Sequence, residues 1–321
     1  MRVNDAIGGY FELELYQKRE FHIGAVALNT ARNCLEYILV TRQYKKVYIP
    51  FYTCEVVLEP FHKYGIEYEF YSINDKLEPV EFPLLKADEA FLFTNYFGLK
   101  QAAVQGVAER YGQQTIIDNA QAFYAPRIEG IDTFYSPRKF FGVPDGGYVY
   151  CDAEPLEDIP QDVSWERMQH LLRRIDEGAE KGYVDFKTNS EALINSPILR
   201  MSNLTHALLC SIDYDDAKRR RWDNYQCLDS ALKKTNMLHL SCGPDDVPMV
   251  YPYLTTDVEL RDRLISSRIY VATYWPNVLK WCDKKNIEYN LARNILPIPI
   301  DQRYDLCDMK KILDVLHSIR S

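Results

Sequence analysis

The sequence predicts an α/β protein: a mainly parallel sheet flanked by helices, with a smaller C-terminal α+β domain. Three observations predict it. Strand-like and helix-like patterns alternate from Thr30 to Cys151, and the run AFLFT (Ala90 to Thr94) is apolar, as a strand covered on both faces would be. Beyond Cys151 the alternation stops. The division falls near Asp213, giving a large domain over 1–212 and a small one over 213–321.

Taken in order, Ala31, Cys34, Leu35, Ile38 and Leu39 recur at helical spacing, with Thr30 or Asn29 as N-cap. KVYIP (Lys46 to Pro50) is a short strand closed by proline. Thr53 to Gly65 is helical, kinked at Pro60 and ended by glycine. Ile66 to Ile73 and Ala90 to Thr94 are strands, and Gln101 to Gly112 is a helix leading into the strand TIID, which ends at Asp118. Ile131 to Phe134 and Gly147 to Cys151 complete the set. Ser164 to Gly182 and Asp213 to Lys234 are expected as long helices, the basic run Lys218 to Arg221 being a solvated first turn of the second. Met249 to Leu254, Glu259 to Ser267 and Asp308 to Ile319 furnish the small lobe.

Composition excludes several functions. The 321 residues are 47% hydrophobic with a formal net charge of -8, an acidic balance that argues against nucleic acid or an anionic membrane as partner. The eight cysteines (Cys34, Cys54, Cys151, Cys210, Cys227, Cys242, Cys282, Cys307) show neither CxxC nor paired spacing, and the six histidines show no ligand spacing, so no metal is expected. No signal-peptide core or membrane-length apolar run is present, and the expectation is a reduced, cytoplasmic protein.

The chemistry concentrates in FYSPRKFFGVPDGGYVY, Phe134 to Tyr150. A lysine in a loop that follows an acid-tipped strand suits pyridoxal phosphate (PLP): the Lys139 amine forms a Schiff base with the aldehyde, and Asp118 pairs with the pyridinium nitrogen. Gln121 can reach the ring hydroxyl. The helix start Thr30-Ala31-Arg32 offers a hydroxyl, small side chains and a cation to the phosphate, and Ser136 can add a second hydroxyl. Gly142, Pro144, Gly146 and Gly147 make a backbone-dominated turn that allows close approach of a ligand. Bland alternatives stand beside each: Thr30 as a plain N-cap, Asp118 as a cap of the following segment, the glycines as an ordinary turn. Ser136 and Lys139 also spell SxxK, but the partner motifs SDN and KTG are absent.

In these residues the chain resembles the DegT/DnrJ/EryC1/StrS family of PLP-dependent sugar aminotransferases. ALNTARNCLEYIL, VYIPFYTCEVVLEPFHKYGIEYEFYSI, TNYFG, IIDNAQAF, SPRKFFGVPDGG and RMSNLTHALL occur in the family's order. The resemblance implies the type I fold of PLP-dependent transferases and an aminotransferase that moves an amino group from glutamate to a nucleotide-linked keto sugar. It makes Lys139 and Asp118 catalytic, and Thr30, Ala31, Arg32, Cys54, Asn95, Asp118, Gln121, Ser136 and Lys139 cofactor-binding. It also implies a homodimer with shared active sites. The chain departs from the family at Cys54, where an aromatic side chain stacks on the ring, at Phe134, where a serine is usual, and at the asparagine before RMS, for which Asn195 is the nearest substitute. Those departures motivate the alternative of an inactive PLP-fold binding or regulatory protein.

Overall fold

The computed structural model of the chain describes residues 7–317. Strands β1 (Val26–Leu28), β2 (Lys46–Pro50), β3 (Glu67–Tyr71), β4 (Glu89–Thr94), β5 (Thr115–Asn119), β6 (Asp132–Tyr135) and β7 (Gly147–Tyr150) form one sheet in the order β1-β7-β6-β5-β4-β2-β3. β7 is antiparallel to both neighbours, β1 and β6, while β6, β5, β4, β2 and β3 pair in parallel. β7 is therefore the single reversed strand, and the other six bring their carboxyl ends to one edge, where ligands of such sheets bind.

Strand side chains alternate between faces, and here both faces are apolar. Ala90, Leu92, Ile116, Phe134 and Val149 join one core with Leu35, Ile38 and Leu39 of α1 (Ala31–Arg42) and Phe61 of α2 (Glu59–Tyr64). Their neighbours Phe91, Phe93, Ile117, Tyr135 and Tyr148 enter the opposite core with Val104 and Val107 of α3 (Gln101–Tyr111). Burial of each such side chain contributes roughly 2 kcal/mol, so a register slip would forfeit both cores. Next come α4 (Gln169–Asp176), α5 (Tyr183–Ala192), α6 (Asn203–Cys210) and α7 (Tyr214–Leu232). After them, β8 (Val250–Leu254) pairs antiparallel with β9 (Ile295–Pro299), accompanied by α8 (Leu260–Ser266), α9 (Val278–Trp281), α10 (Ile287–Asn294) and α11 (Leu306–His317). Ser318 and Ile319 of the expected last helix lie outside the described residues.

Three local expectations are corrected. The single helix from Ser164 to Gly182 is instead a 3-10 turn (Trp165–Arg167) followed by α4, which stops before Gly178 at φ +92. The helix from Thr53 begins as a 3-10 turn (Glu55–Leu58), and Pro60 sits in the first turn of α2, where its missing N–H leaves no bond unmade. In the basic run, Arg219 and Arg220 face solvent and pair with Asp216, but Arg221 is 1% exposed. The strand β1 was not foreseen.

The carboxyl edge is tightly closed at one point. Gly146 donates its N–H to the Asn29 carbonyl at 2.6 Å, and a Cβ on Gly147 would stand 2.5 Å from the Thr30 carbonyl carbon and 2.6 Å from the Ala31 nitrogen. Both are backbone atoms and cannot swing aside. Gly147→Ala is expected to cost about 3 kcal/mol of stability, read as a shifted urea midpoint with an unchanged slope.

Candidate active site

Loops leave the carboxyl edge after β1, β2, β4, β5 and β6. Asp118, the penultimate residue of β5, lies in register with Thr94 of β4 and Phe134 of β6. It is 6% exposed, and its Oδ1 accepts the Ala120 N–H at 2.8 Å. Burial pushes its pKa up; the Lys139 charge, the Ala120 N–H and the nearby Thr94 hydroxyl pull it partly back. The Thr94 hydroxyl favours the carboxylate without the alignment of a full hydrogen bond. Among the described residues no cation forms an ion pair with Asp118.

Lys139 closes the 3-10 turn Pro137–Lys139 that follows β6, with Ser136 as its N-cap residue. The lysine is exposed, and among the described residues its ammonium makes no hydrogen bond and no ion pair. The turn itself is held rigidly. The N–H groups of Phe140 and Phe141 each reach the Pro137 carbonyl at 2.9 Å. The Phe140 carbonyl accepts from Gln302 Nε2 at 2.8 Å and from Arg221 Nη2 at 3.3 Å. Arg221 also donates to the Pro248 and Met249 carbonyls, and its guanidinium lies 4.5 Å from the centre of the Phe140 ring. Burial pulls its pKa down to about 10, so it is still a cation at neutral pH. A buried charge enclosed by carbonyls ties the lysine turn to the C-terminal third of the chain.

The remaining candidates divide. Gln121 is buried, and its Oε1 accepts the Phe97 N–H at 2.9 Å, leaving its amide N–H groups for another partner. Asn95 is committed to its neighbours: its Nδ2 donates to Asn119 Oδ1 at 3.0 Å and its Oδ1 accepts the Lys100 N–H at 3.0 Å. Thr30 caps α1, accepting the Asn33 N–H at 3.0 Å and donating to Asn33 Oδ1. Arg32 gives one nitrogen to Glu59 at 2.7 Å and to the Leu193 carbonyl at 2.8 Å. What Thr30, Ala31 and Arg32 offer a ligand is thus the backbone of a helix start, not a hydroxyl or a free cation. Ser136 is buried. Cys54 is half-buried at the loop after β2, two residues beyond Tyr52, whose fully buried hydroxyl has no hydrogen-bond partner among the described residues. Asn195 uses its N–H on Glu59 at 3.1 Å.

Sequence reasoning overlooked Arg138, which sits between Ser136 and Lys139, and Arg221. For Arg138 a signal existed: a second cation adjoining the lysine within a four-residue turn. Two depressions lie elsewhere, one of about 240 Å³ lined by residues that include Tyr225, Asp229, Lys233 and Asn236, another beside Arg261. Neither touches Asp118 or Lys139. No group of three or more His, Cys, Asp or Glu side chains that could hold a metal ion occurs among the described residues, the eight cysteines are unpaired, and no helix there is long and apolar enough to cross a membrane.

This architecture, one reversed strand in an otherwise parallel seven-stranded sheet with its loops gathered at the carboxyl edge, is the fold of the PLP-dependent aminotransferases. Among solved structures the chain is similar to DesV of S. venezuelae in complex with a ketimine intermediate, at 18% identity, TM-score 0.62, over 92% of this chain and 84% of that one. It is similar to a DegT DnrJ EryC1 StrS aminotransferase from Brucella abortus at 16% identity and TM-score 0.61, over 92% and 85%. NtdA from Bacillus subtilis, with bound cofactor PMP, matches at 14% identity and TM-score 0.64, over 92% and 73%. By sequence the chain matches no protein-family model and no curated protein.

Proposed function

We propose that the protein is a PLP-dependent aminotransferase that moves an amino group from glutamate to a keto sugar, nucleotide-linked, through Lys139. One observation carries the reading: at the carboxyl edge of an aminotransferase fold, a buried carboxylate, Asp118, feels the charge of Lys139, and among the described residues neither is in an ion pair. A buried carboxylate needs a positive hydrogen-bond donor, and a protonated pyridine nitrogen is one. The residues present therefore fit PLP. Asp118 would hold the ring nitrogen, Gln121 the ring hydroxyl through its free amide N–H groups, and the start of α1 with Ser136 the phosphate.

PLP, when bound, draws electrons from the substrate α-carbon and makes its proton removable. Lys139 Nζ would be the amine that holds the cofactor aldehyde and, when free, the base that carries the substrate α-proton. Asp118 would keep the ring nitrogen protonated, since its buried carboxylate is in no ion pair among the described residues. The anchored Phe140 carbonyl limits how far the Lys139 backbone can drift. Division of the chain into a cofactor lobe (1–212) and a smaller lobe (213–321), a cytoplasmic location and a shared-site homodimer belong to the same proposal. The last is supported by exposed Trp165, Ile175 and Val184 around α4 and α5, which a second copy would cover.

The test is direct. Protein incubated with PLP should turn yellow, lose that colour with glutamate and release 2-oxoglutarate in equal amount. A protein that takes up no PLP overturns the proposal. Uptake without amine transfer would favour the binding-protein alternative motivated by Cys54 and Phe134.

A further inference from the structure

The C-terminal end of α7 carries a stripe of polar side chains that the rest of the chain leaves largely uncommitted. Tyr225, Asp229 and Lys233 follow at intervals of four, so they stand on one face of the helix. All three line the cavity of about 240 Å³, and Leu238, Ser241 and Pro252 of β8 line it too. One wall is fixed by Asn236. Its Nδ2 donates to the Pro252 carbonyl at 2.9 Å, and its Oδ1 accepts the Leu238 N–H at 3.0 Å and the Leu254 N–H at 2.9 Å. The cavity is thus shaped by the fold itself.

Tyr225 is the most telling of the three. It is 3% exposed, yet among the described residues its hydroxyl makes no hydrogen bond. Burial, reinforced by the charges of Cys242, Asp229, Tyr251 and Asp246, pushes its pKa well up, so the hydroxyl keeps its proton as a donor. Leaving such a donor without an acceptor costs about 1–3 kcal/mol, which an acceptor on a ligand would recover. Asp229 accepts the Tyr251 hydroxyl on Oδ1 at 3.3 Å. Among the described residues it forms no ion pair, although Lys233 is one turn away, and neither the Lys233 ammonium nor the Ser241 hydroxyl has a hydrogen bond.

These groups define the ligand. Asp229 is the one carboxylate lining the cavity, and it calls for a cationic donor; the helix C-terminus beside it favours the same charge. Lys233 and the hydroxyls of Tyr225 and Ser241 are donors for an anion. Leu238 and Pro252 are buried and offer an apolar surface. A zwitterion with a short hydrocarbon tail matches all three features. Size agrees: at about 30 Å³ each the cavity holds about eight waters, room for roughly ten non-hydrogen atoms and too little for a nucleotide. A sugar fits poorly, because the Tyr225 ring packs on Tyr251 at 5.1 Å between centres and offers no face for stacking.

We propose that this cavity binds a free α-amino acid with a small apolar side chain, at a site separate from Asp118 and Lys139. Asp229 takes the ammonium, Lys233 and the two hydroxyls are the carboxylate donors, and Leu238 and Pro252 meet the side chain. The site owes nothing to the PLP reading.

The full chain without PLP, so that no aldehyde can react with an amine, is titrated with L-leucine by isothermal calorimetry. Leucine should bind, and 3-methylbutylamine and 4-methylpentanoate, each lacking one charged end, should bind at least about tenfold more weakly. Tyr225→Phe and Asp229→Asn should each weaken leucine about tenfold. Tyr225→Phe should leave the amine unaffected, and Asp229→Asn the acid. Both variants should fold, since the Tyr225 hydroxyl bonds nothing and Asn keeps an oxygen for Tyr251; circular dichroism checks this. Lys139→Ala should bind leucine as wild type does, whether or not Lys139 proves to hold PLP. Absence of leucine binding at millimolar concentration, or equal binding by wild type, Tyr225→Phe and Asp229→Asn, overturns the inference.

Discussion

Lys139→Ala is expected to lower turnover at least about a thousandfold while leaving the fold intact, because under the proposed function it would remove both the amine that holds the aldehyde and the group that moves the proton. The structure separates these effects cleanly. The Lys139 side chain is exposed and among the described residues its ammonium has no hydrogen bond or ion pair, so its loss should change stability by less than about 0.5 kcal/mol. The turn does not depend on it either, being held through the Phe140 carbonyl and the Pro137 carbonyl. Borohydride treatment of PLP-loaded wild type should fix the cofactor's mass on the peptide containing Lys139, and the alanine variant should carry none. A small primary amine at millimolar concentration should restore part of the activity. Lys139→Arg should not help, since a guanidinium neither condenses with the aldehyde nor releases a proton near neutral pH. Turnover of the alanine variant within tenfold of wild type would remove Lys139 from the mechanism.

How far the fold was legible depends on the range of the interactions involved. Strand alternation and helix spacing are local, so the core of the sheet could be read from Lys46 to Tyr150. β1 escaped because Val26–Leu28 is only three residues long and is defined by pairing with β7, more than a hundred positions away. The break after α4 hangs on a single residue, Gly178, in a polar stretch where nothing apolar marks a stop. Arg221 shows the same limit most plainly. Its neighbours in sequence are solvated, and only carbonyls contributed by Phe140, Pro248 and Met249 explain why it is buried. At the candidate site, residue type and order marked Lys139 and Asp118, but whether a polar side chain is available could not be read. Thr30 and Arg32 turned out to be committed to helix packing, whereas the uncommitted Arg138 looked like one more surface charge beside a lysine.

Asp118 yields the sharper test because catalysis and stability should move in opposite directions. Asp118→Asn keeps an oxygen that can accept the Ala120 N–H, so the local backbone should hold. It cannot hold a proton on a ring nitrogen by charge, and turnover should drop by about a hundred- to a thousandfold. In the apoprotein the same change should be neutral or stabilising. Burial is the largest influence on this carboxyl and raises its pKa above the ordinary 3.8, so the folded state binds a proton more tightly than the unfolded chain does. Wild-type stability therefore falls as pH rises from 3.8 through the folded-state value, and the deficit is complete above it. The Asn variant has no such group. Its melting temperature relative to wild-type apoprotein should accordingly climb as pH rises above about 4 and level off once the folded-state carboxyl is ionised. Saturating PLP should reverse the order, since the ring nitrogen then supplies the cation that the buried carboxylate lacks. A variant that melts well below wild type at pH 7 without cofactor would mean that Asp118 is a structural cap, and the assignment of a ring-nitrogen partner would have to be sought at another carboxylate.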